Sequence, residues 1–311
     1  MAKPAMGKTA YTGLVILESI LWGVGNPVLK IGMEYLTPFW CLTLRFFLAF
    51  ILFAIFFGRK ALAQVNRSNV VGIVVSAVFN AGAYIFSAFA LLYTSATIAG
   101  FLMSLAVLFT PFLSLVFIRQ PLDWRLVPII GVVVVGMYFL CGGGEFVFGW
   151  GEFMGVLGSL SFACGLVTTS RLVGNIGPTA MSCMQVGVMT VCCLIPALLT
   201  EDWHVLLNTP ARGWAAILYM ALGCTFVAYL MQNLALSHVS PVVVSLAFSS
   251  EPVFTAIAAF FMLGERLPLA GLFGAALVTA GIVLASVLQH LNEKKAARQA
   301  AEQSLESGEA P

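Results

Sequence analysis

Three charged residues, Glu18, Arg45 and Glu251, sit inside otherwise apolar stretches of this chain. An ionisable group at hydrocarbon depth costs several kcal/mol unless it faces protein or water, so each is a candidate functional residue. Glu18, Trp22 and Asn26 recur at i, i+4 and i+8, which puts a carboxylate, an indole and an amide on one helix face. That face belongs at the centre of a bundle, although Trp22 as a packing anchor and Asn26-Pro27 as a kink would also account for it. Arg45 needs an anionic or carbonyl partner, and Glu18 or Glu251 is the expected one; the alternative is that it snorkels to the nearer interface. Glu251 precedes Pro252, whose ring lacks the N–H and clashes with the carbonyl of Phe248, so the helix should kink or open beside the carboxylate. Val244, Phe248, Glu251 and Thr255 then share one face. Opening to either side would change the surroundings of Glu251, which is how such a group could take up and release a proton, with Glu18 as the second candidate for that coupling role.

Two further stripes carry polar groups on apolar helices: Asn80, Tyr84 and Ser87, and Thr225, Tyr229 and Gln232, each at i, i+4, i+7. Both tyrosines fall mid-span, whereas aromatic belts lie at the membrane surfaces. The expected lining is therefore Glu18, Trp22, Asn26, Arg45, Asn80, Tyr84, Phe101, Tyr229, Gln232 and Phe248. Aromatics and amides with one cation and two acids suit an amphipathic zwitterion such as an amino acid; a phosphorylated sugar would call for more Arg and Lys.

The elements that must position these residues are membrane helices. The chain is 60% hydrophobic and 9% charged, with mean hydropathy +1.00, against about 25% charged residues in a soluble globule. A hydrocarbon core of about 30 Å takes roughly 20 apolar residues per helix. Ten spans are read at 11–31, 38–57, 69–93, 95–118, 126–141, 150–172, 178–200, 212–233, 239–262 and 268–290. With the N-terminus in the cytoplasm that side collects eleven cations (Lys3, Lys8, Arg59, Lys60, Arg67, Arg119, Arg125, Arg171, Lys294, Lys295, Arg298) and the other keeps two, Arg212 and Arg266. The positive-inside rule then places both termini in the cytoplasm of a multi-pass cell (inner) membrane protein. Residues 58–69 read as a short basic loop, Glu201 to His204 as a solvated external loop, and residues 291–311 as a disordered cytoplasmic tail. The seven cysteines lie in or at the ends of apolar spans without metal or redox spacing, and read as packing residues. Gly7-Lys8-Thr9 mimics the end of a phosphate loop but has Ala2 where its first glycine would be. Nothing in the sequence calls for a cofactor, a metal or nucleic acid.

The chain repeats itself. Shifted by 145 residues, Ala83-Tyr84 falls on Ala228-Tyr229, Ala90-Leu91 on Ala235-Leu236, Ser95 on Ser240, Ser104 on Ser249, Phe109-Thr110 on Phe254-Thr255, Leu122 on Leu267, Val133 on Val278 and Gly136 on Gly281. With five spans per copy the second must enter the membrane from the opposite side, the inverted-repeat pattern of secondary transporters, whose sites lie near the midplane. The expected units are 1–145, 146–290 and the tail. The charges do not repeat: Glu251 meets Ala106, Glu265 meets Gln120, and Arg45 falls near Gln185.

The ordered set Leu21-Trp22-Gly23, Asn26 and Lys30, Pro38 and Arg45, Ala90 to Ala96, Phe101 and Pro111, then Ala235 to Pro241, Glu251-Pro252-Val253, Leu263-Gly264-Glu265, Gly274 and Gly281 resembles an EamA-type transporter of the drug/metabolite transporter superfamily. The likeness covers all but the tails. It departs at Gln120, where first halves often carry an acid. The resemblance implies an all-α integral membrane protein of ten helices in two inverted five-helix repeats, and carrier-type, usually outward, movement of a small metabolite, as a monomer or weak homodimer. Proton coupling is a further expectation. A passive channel or lipid-moving protein is the alternative; an intramembrane enzyme is disfavoured because both aspartates, Asp123 and Asp202, lie in loops and no H-E-x-x-H or G-x-S-x-G occurs.

Overall fold

Proline and glycine set several of the helix ends. The computed structural model describes residues 8–119, 124–142, 148–281, 283–284, 287–288 and 291, all helical or irregular, without a strand among them. Gln120, the link 143–147 and the tail beyond 291 lie outside the described residues. Helix α1 (Lys8–Gly32) carries Pro27 inside it; α2 (Pro38–Gln64) opens on Pro38, whose missing N–H costs nothing in a first turn. The α2 amides of Phe39 and Trp40 donate instead to the Glu201 carboxylate at 3.1 and 2.9 Å, and Thr37 Oγ1 donates to it as well. Glu201 is thus a cap delivered from a distant loop, where the sequence suggested a merely solvated one. Helix α2 also runs through Gly58 to Gln64, converting most of the expected basic loop into a helical turn, because Ala61-Leu62-Ala63 are good helix formers and nothing in the segment forces a positive φ.

Helix α3 (Val70–Tyr93) is followed by a span built in two pieces, α4 (Ala96–Met103) and α5 (Ala106–Ile118), then α6 (Leu126–Gly142), α7 (Trp150–Ile176) and α8 (Pro178–Thr200). Helices α9 (Ala211–Ala221) and α10 (Ala228–Leu236) are joined by a π-helical turn, Leu222–Val227. The next span is again split, into α11 (Pro241–Ala247), a 3₁₀ turn Phe248–Ser250 and α12 (Glu251–Leu263), before α13 (Leu269–Gly281). The break falls where Pro252 was expected to force one. Among the described residues seven helices are long and apolar enough to cross a membrane, and three shorter apolar helices accompany them. Large side chains such as Phe261 (79% exposed), Leu199 and Val116 project outward, as lipid-facing residues must.

The two split spans are built alike. At the 145-residue offset α4 and α11 start at the same position, as do α5 and α12, and both α5 and α12 end at position-equivalent left-handed residues, Arg119 (φ 60°) and Gly264 (φ 68°). Ser95 and Ser240 each accept an amide of the following turn, Ile98 and Val243, at 3.1 and 3.3 Å. The crossing of α6 and α13 is reciprocal: a Cβ on Gly136 would come within 2.9 Å of Val278, and one on Gly281 within 2.5 Å of Val133. Only glycine permits that backbone approach. Elsewhere α3 packs on α7 and α8, α2 on α8, and α1 on α9 to α12, leaving α1 next to the middle of the bundle. Gly151, Gly155 and Gly158 bring α7 against Tyr93, Leu102 and Met103.

Candidate functional site

The π turn between α9 and α10 organises the site. A π turn contains an extra residue, so one backbone carbonyl loses its regular partner and becomes free to accept from elsewhere. Here Thr225 Oγ1 reaches back to the Met220 carbonyl at 2.8 Å, and the Cys224 carbonyl accepts both Trp22 Nε1 (2.8 Å) and Arg45 Nη2 (3.0 Å). Arg45 Nε donates to Thr225 Oγ1 at 2.7 Å, and its guanidinium lies over the Tyr84 ring, 4.4 Å from the centroid. Arg45 is 2% exposed yet makes no ion pair among the described residues. The expected carboxylate partner is thus replaced by a carbonyl and a hydroxyl, which satisfy the fork without burying a second charge.

Both intramembrane carboxylates stand apart from it. Asn26 Nδ2 donates to Glu251 Oε1 at 3.0 Å and to Thr255 Oγ1 at 3.1 Å, tying α1 to α12 just past the 3₁₀ break. The seam is tight: a Cβ on Gly23 would lie 2.5 Å from Phe254 Cβ. Glu18 is fully buried, and neither carboxyl oxygen has a hydrogen-bond partner among the described residues. A buried polar group without a partner is rare and calls for an explanation.

Trp22, Asn26, Arg45, Tyr84, Phe248 and Glu251 line one central cavity, with Ser87, Met103, Ser104, Phe162, Cys224 and Ser245 completing the wall. Trp22 stacks on Phe248 at 4.9 Å and 10°, and meets the edges of Phe162 and Tyr84 at 5.5 and 6.0 Å. The free space is about 50 Å³, room for about one or two waters. That is well below the roughly 300 Å³ of a typical small-molecule pocket, so a ligand of that size would fit only with these walls parted.

Five expected lining residues lie elsewhere. Tyr229 forms a second layer, 6.5 Å from Trp22 and 6.3 Å from Tyr84, and donates to Asn80 Oδ1 at 3.4 Å. Asn80 itself donates to the Ser76 carbonyl. Phe101 turns the other way, into the apolar cluster of Leu102, Leu105, Val133 and Val278. Gln232 is buried off the cavity, and Glu18 is not in its wall. Conversely, Phe162 and Ser245 line it without having drawn notice, and Cys224 lines it although it read as a packing residue, since an isolated Phe, Ser or Cys in an apolar helix carries no sequence signal. A second polar cluster was also missed: Gln185 donates to Thr169 (2.8 Å) and Ser76 (3.3 Å) and accepts from Asn233, which also donates to Ser182, both at 2.9 Å. Its only hint was that Arg45 falls near Gln185 in the repeat.

Comparison with known proteins agrees with this architecture. A crystal structure of a protein 16% identical in sequence covers 92% of this chain and 100% of its own, with a TM-score of 0.68. A protein of Archaeoglobus fulgidus named as an uncharacterized transporter is 27% identical over 284 residues, 90% of this chain and 87% of that one. A protein of Chlamydia trachomatis serovar L2 named as an S-adenosylmethionine/S-adenosylhomocysteine transporter is 23% identical over 284 residues, 86% of each chain. The EamA-like transporter family matches residues 10–142 and 149–287. This multi-pass membrane protein, whose sequence already resembled that group, therefore belongs to the EamA-like transporter family.

Proposed function

We propose that this chain is an alternating-access carrier that moves an amphipathic, amino-acid-like metabolite outward across the cell (inner) membrane. The observation that carries the reading is the cavity itself: a stacked Trp22–Phe248 pair beside a carboxylate, Glu251, and a guanidinium, Arg45. Flat aromatic walls suit the apolar part of such a ligand. The two bonds of Arg45 use two of its five N–H donors, leaving others for a ligand carboxylate, while Glu251 Oε2 can meet an ammonium group. The Chlamydia trachomatis relative supports the class, because S-adenosylmethionine is an amino-acid zwitterion joined to a flat base.

Ten spans in two inverted five-helix repeats, with both termini cytoplasmic, form the scaffold of this reading. The equal starts of α4 and α11 and of α5 and α12 support it, as does the reciprocal contact of Gly136 with Val278 and Gly281 with Val133. Protons couple through Glu251, with Glu18, buried and without a hydrogen-bond partner, as a second proton carrier. Counterflow in proteoliposomes tests the carrier. Trapped unlabelled amino acid or S-adenosylmethionine should accelerate uptake of the labelled compound; equal uptake with and without trapped compound would point to a passive pore instead.

A further inference from the structure

The end of the cavity where α1 finishes is tied by one carboxylate to two other elements. Glu265 follows the left-handed Gly264 that ends α12. It accepts the amides of Ala96 (2.8 Å) and Thr97 (3.0 Å) and the Thr97 hydroxyl (2.9 Å) at the start of α4. Lys30, at the end of α1, donates to the same carboxylate at 3.2 Å and to the Thr94 carbonyl at 3.1 Å. Lys30 lies one turn beyond Asn26 and next to Leu29 in the cavity wall. Helix α4 is only eight residues long, about 12 Å, and its far end supplies Met103 and Ser104 to the same wall. Beyond it the helix is interrupted by a turn at Ser104-Leu105 before α5. Fixing the N-terminus of so short a rod fixes where its other end stands.

The opposite end is built differently. Among the described residues the approach to α11 is met by Tyr11 stacked on His238 at 4.1 Å, and Ser19 donates to the Ala247 carbonyl at 3.3 Å, without an ion pair. We propose that Lys30 and Glu265 are positioning residues for transport: a latch that holds α4 across the α1-terminal mouth and must release for the cavity to open there, with the Ser104-Leu105 break as its hinge. This goes beyond the carrier reading and is read out without transport.

Cys224 is the reporter, since it lines the cavity and is fully buried. The full chain in nanodiscs is treated with N-ethylmaleimide and labelling at each cysteine is followed by peptide mass spectrometry. Losing one charge-assisted bond should make Cys224 react roughly tenfold faster in both Glu265→Gln and Lys30→Met. Cys183, also buried but outside the cavity wall, should keep its rate. Lys30→Met leaves the Glu265 cap on α4 intact and keeps the question answerable if Glu265→Gln folds poorly. An unchanged Cys224 rate, or Cys183 rising alongside it, would overturn the latch in favour of a plain structural cap. Absent counterflow in the wild type, together with a fast Cys224 in the variants, would count against the carrier and not against the latch.

Discussion

Replacing Arg45 with Lys keeps the charge and removes the fork. A single ammonium cannot reach both Thr225 Oγ1 and the Cys224 carbonyl in the directions that Nε and Nη2 now use. One buried charge-assisted hydrogen bond, about 1.5–3 kcal/mol, is therefore lost, together with about 0.5–2 kcal/mol of stacking on Tyr84. The expected destabilisation is about 2–5 kcal/mol, a large part of an ordinary folding free energy. Thr225→Val alone should cost about 1–2 kcal/mol, because Arg45 Nε then lacks its acceptor. If these groups act as one unit the double variant should lose less than the sum, with a coupling of about 1–2 kcal/mol. Denaturant unfolding in detergent, followed by tryptophan fluorescence, reads this, since Trp22 donates to the same Cys224 carbonyl. Additivity within about 0.3 kcal/mol would refute the claim that the π turn and Arg45 form one polar joint.

Glu251→Gln keeps an acceptor for Asn26 but cannot titrate, so substrate exchange should change less than about fivefold while the pH dependence of net transport in proteoliposomes disappears; undiminished proton-driven uptake there, lost instead in Glu18→Gln, would move the coupling to α1. Gly136→Ala and Gly281→Ala should each cost about 1–3 kcal/mol in an unfolding titration, and by similar amounts, because each Cβ would meet the valine that mirrors the other's. Burial alone would raise the Glu265 carboxyl, but the Thr97 and Ala96 amides, the Thr97 hydroxyl and the Lys30 ammonium outweigh it and hold the group below its ordinary range. Its contribution is then complete above the ordinary carboxylate value of about 4.3 and is lost as pH falls below that through the lowered one. Thermal stability of the wild type should therefore fall more steeply than that of Glu265→Gln below about pH 4.5.

Much of the frame was legible because the bilayer imposes it. Apolar run length marked out the helical segments and Pro252 marked the break before Glu251, whereas the split at Ser104 fell inside what read as one span, 95–118. Facing directions were less legible. A helix that is apolar all round carries no stripe to orient it, so Phe101 could be assigned to the cavity wall although it packs with Val133 and Val278. The stripe Thr225, Tyr229, Gln232 assumed 3.6 residues per turn, but the π turn at Leu222–Val227 inserts one extra residue and rotates α10 by about 100°. Thr225 therefore reaches Arg45 while Gln232 points elsewhere. Nothing in Leu-Gly-Cys-Thr-Phe-Val announces a π turn: it is held by tertiary donors, Trp22 and Arg45, that arrive from positions about 200 and 180 residues away.

The residues that repeat and those that do not have different tasks. Ser95 and Ser240, the two left-handed stops, and Gly136 and Gly281 recur because they set where helices start, stop and cross. Such features build a frame whose two ends could be equal in energy. Glu251, Glu265 and Arg45 have the uncharged Ala106, Gln120 and Gln185 at or near the related positions, and Glu251 and Glu265, the latter with Lys30, tie α1, α4 and α12 at one end only. A carrier with two equal ends would have no preferred resting side, whereas one charge-tied mouth opposite a stacked Tyr11–His238 pair makes opening cost more at the tied end. Removing the tie should therefore change which side the empty protein faces before it changes what the cavity holds, since Lys30 and Glu265 are not part of the cavity wall.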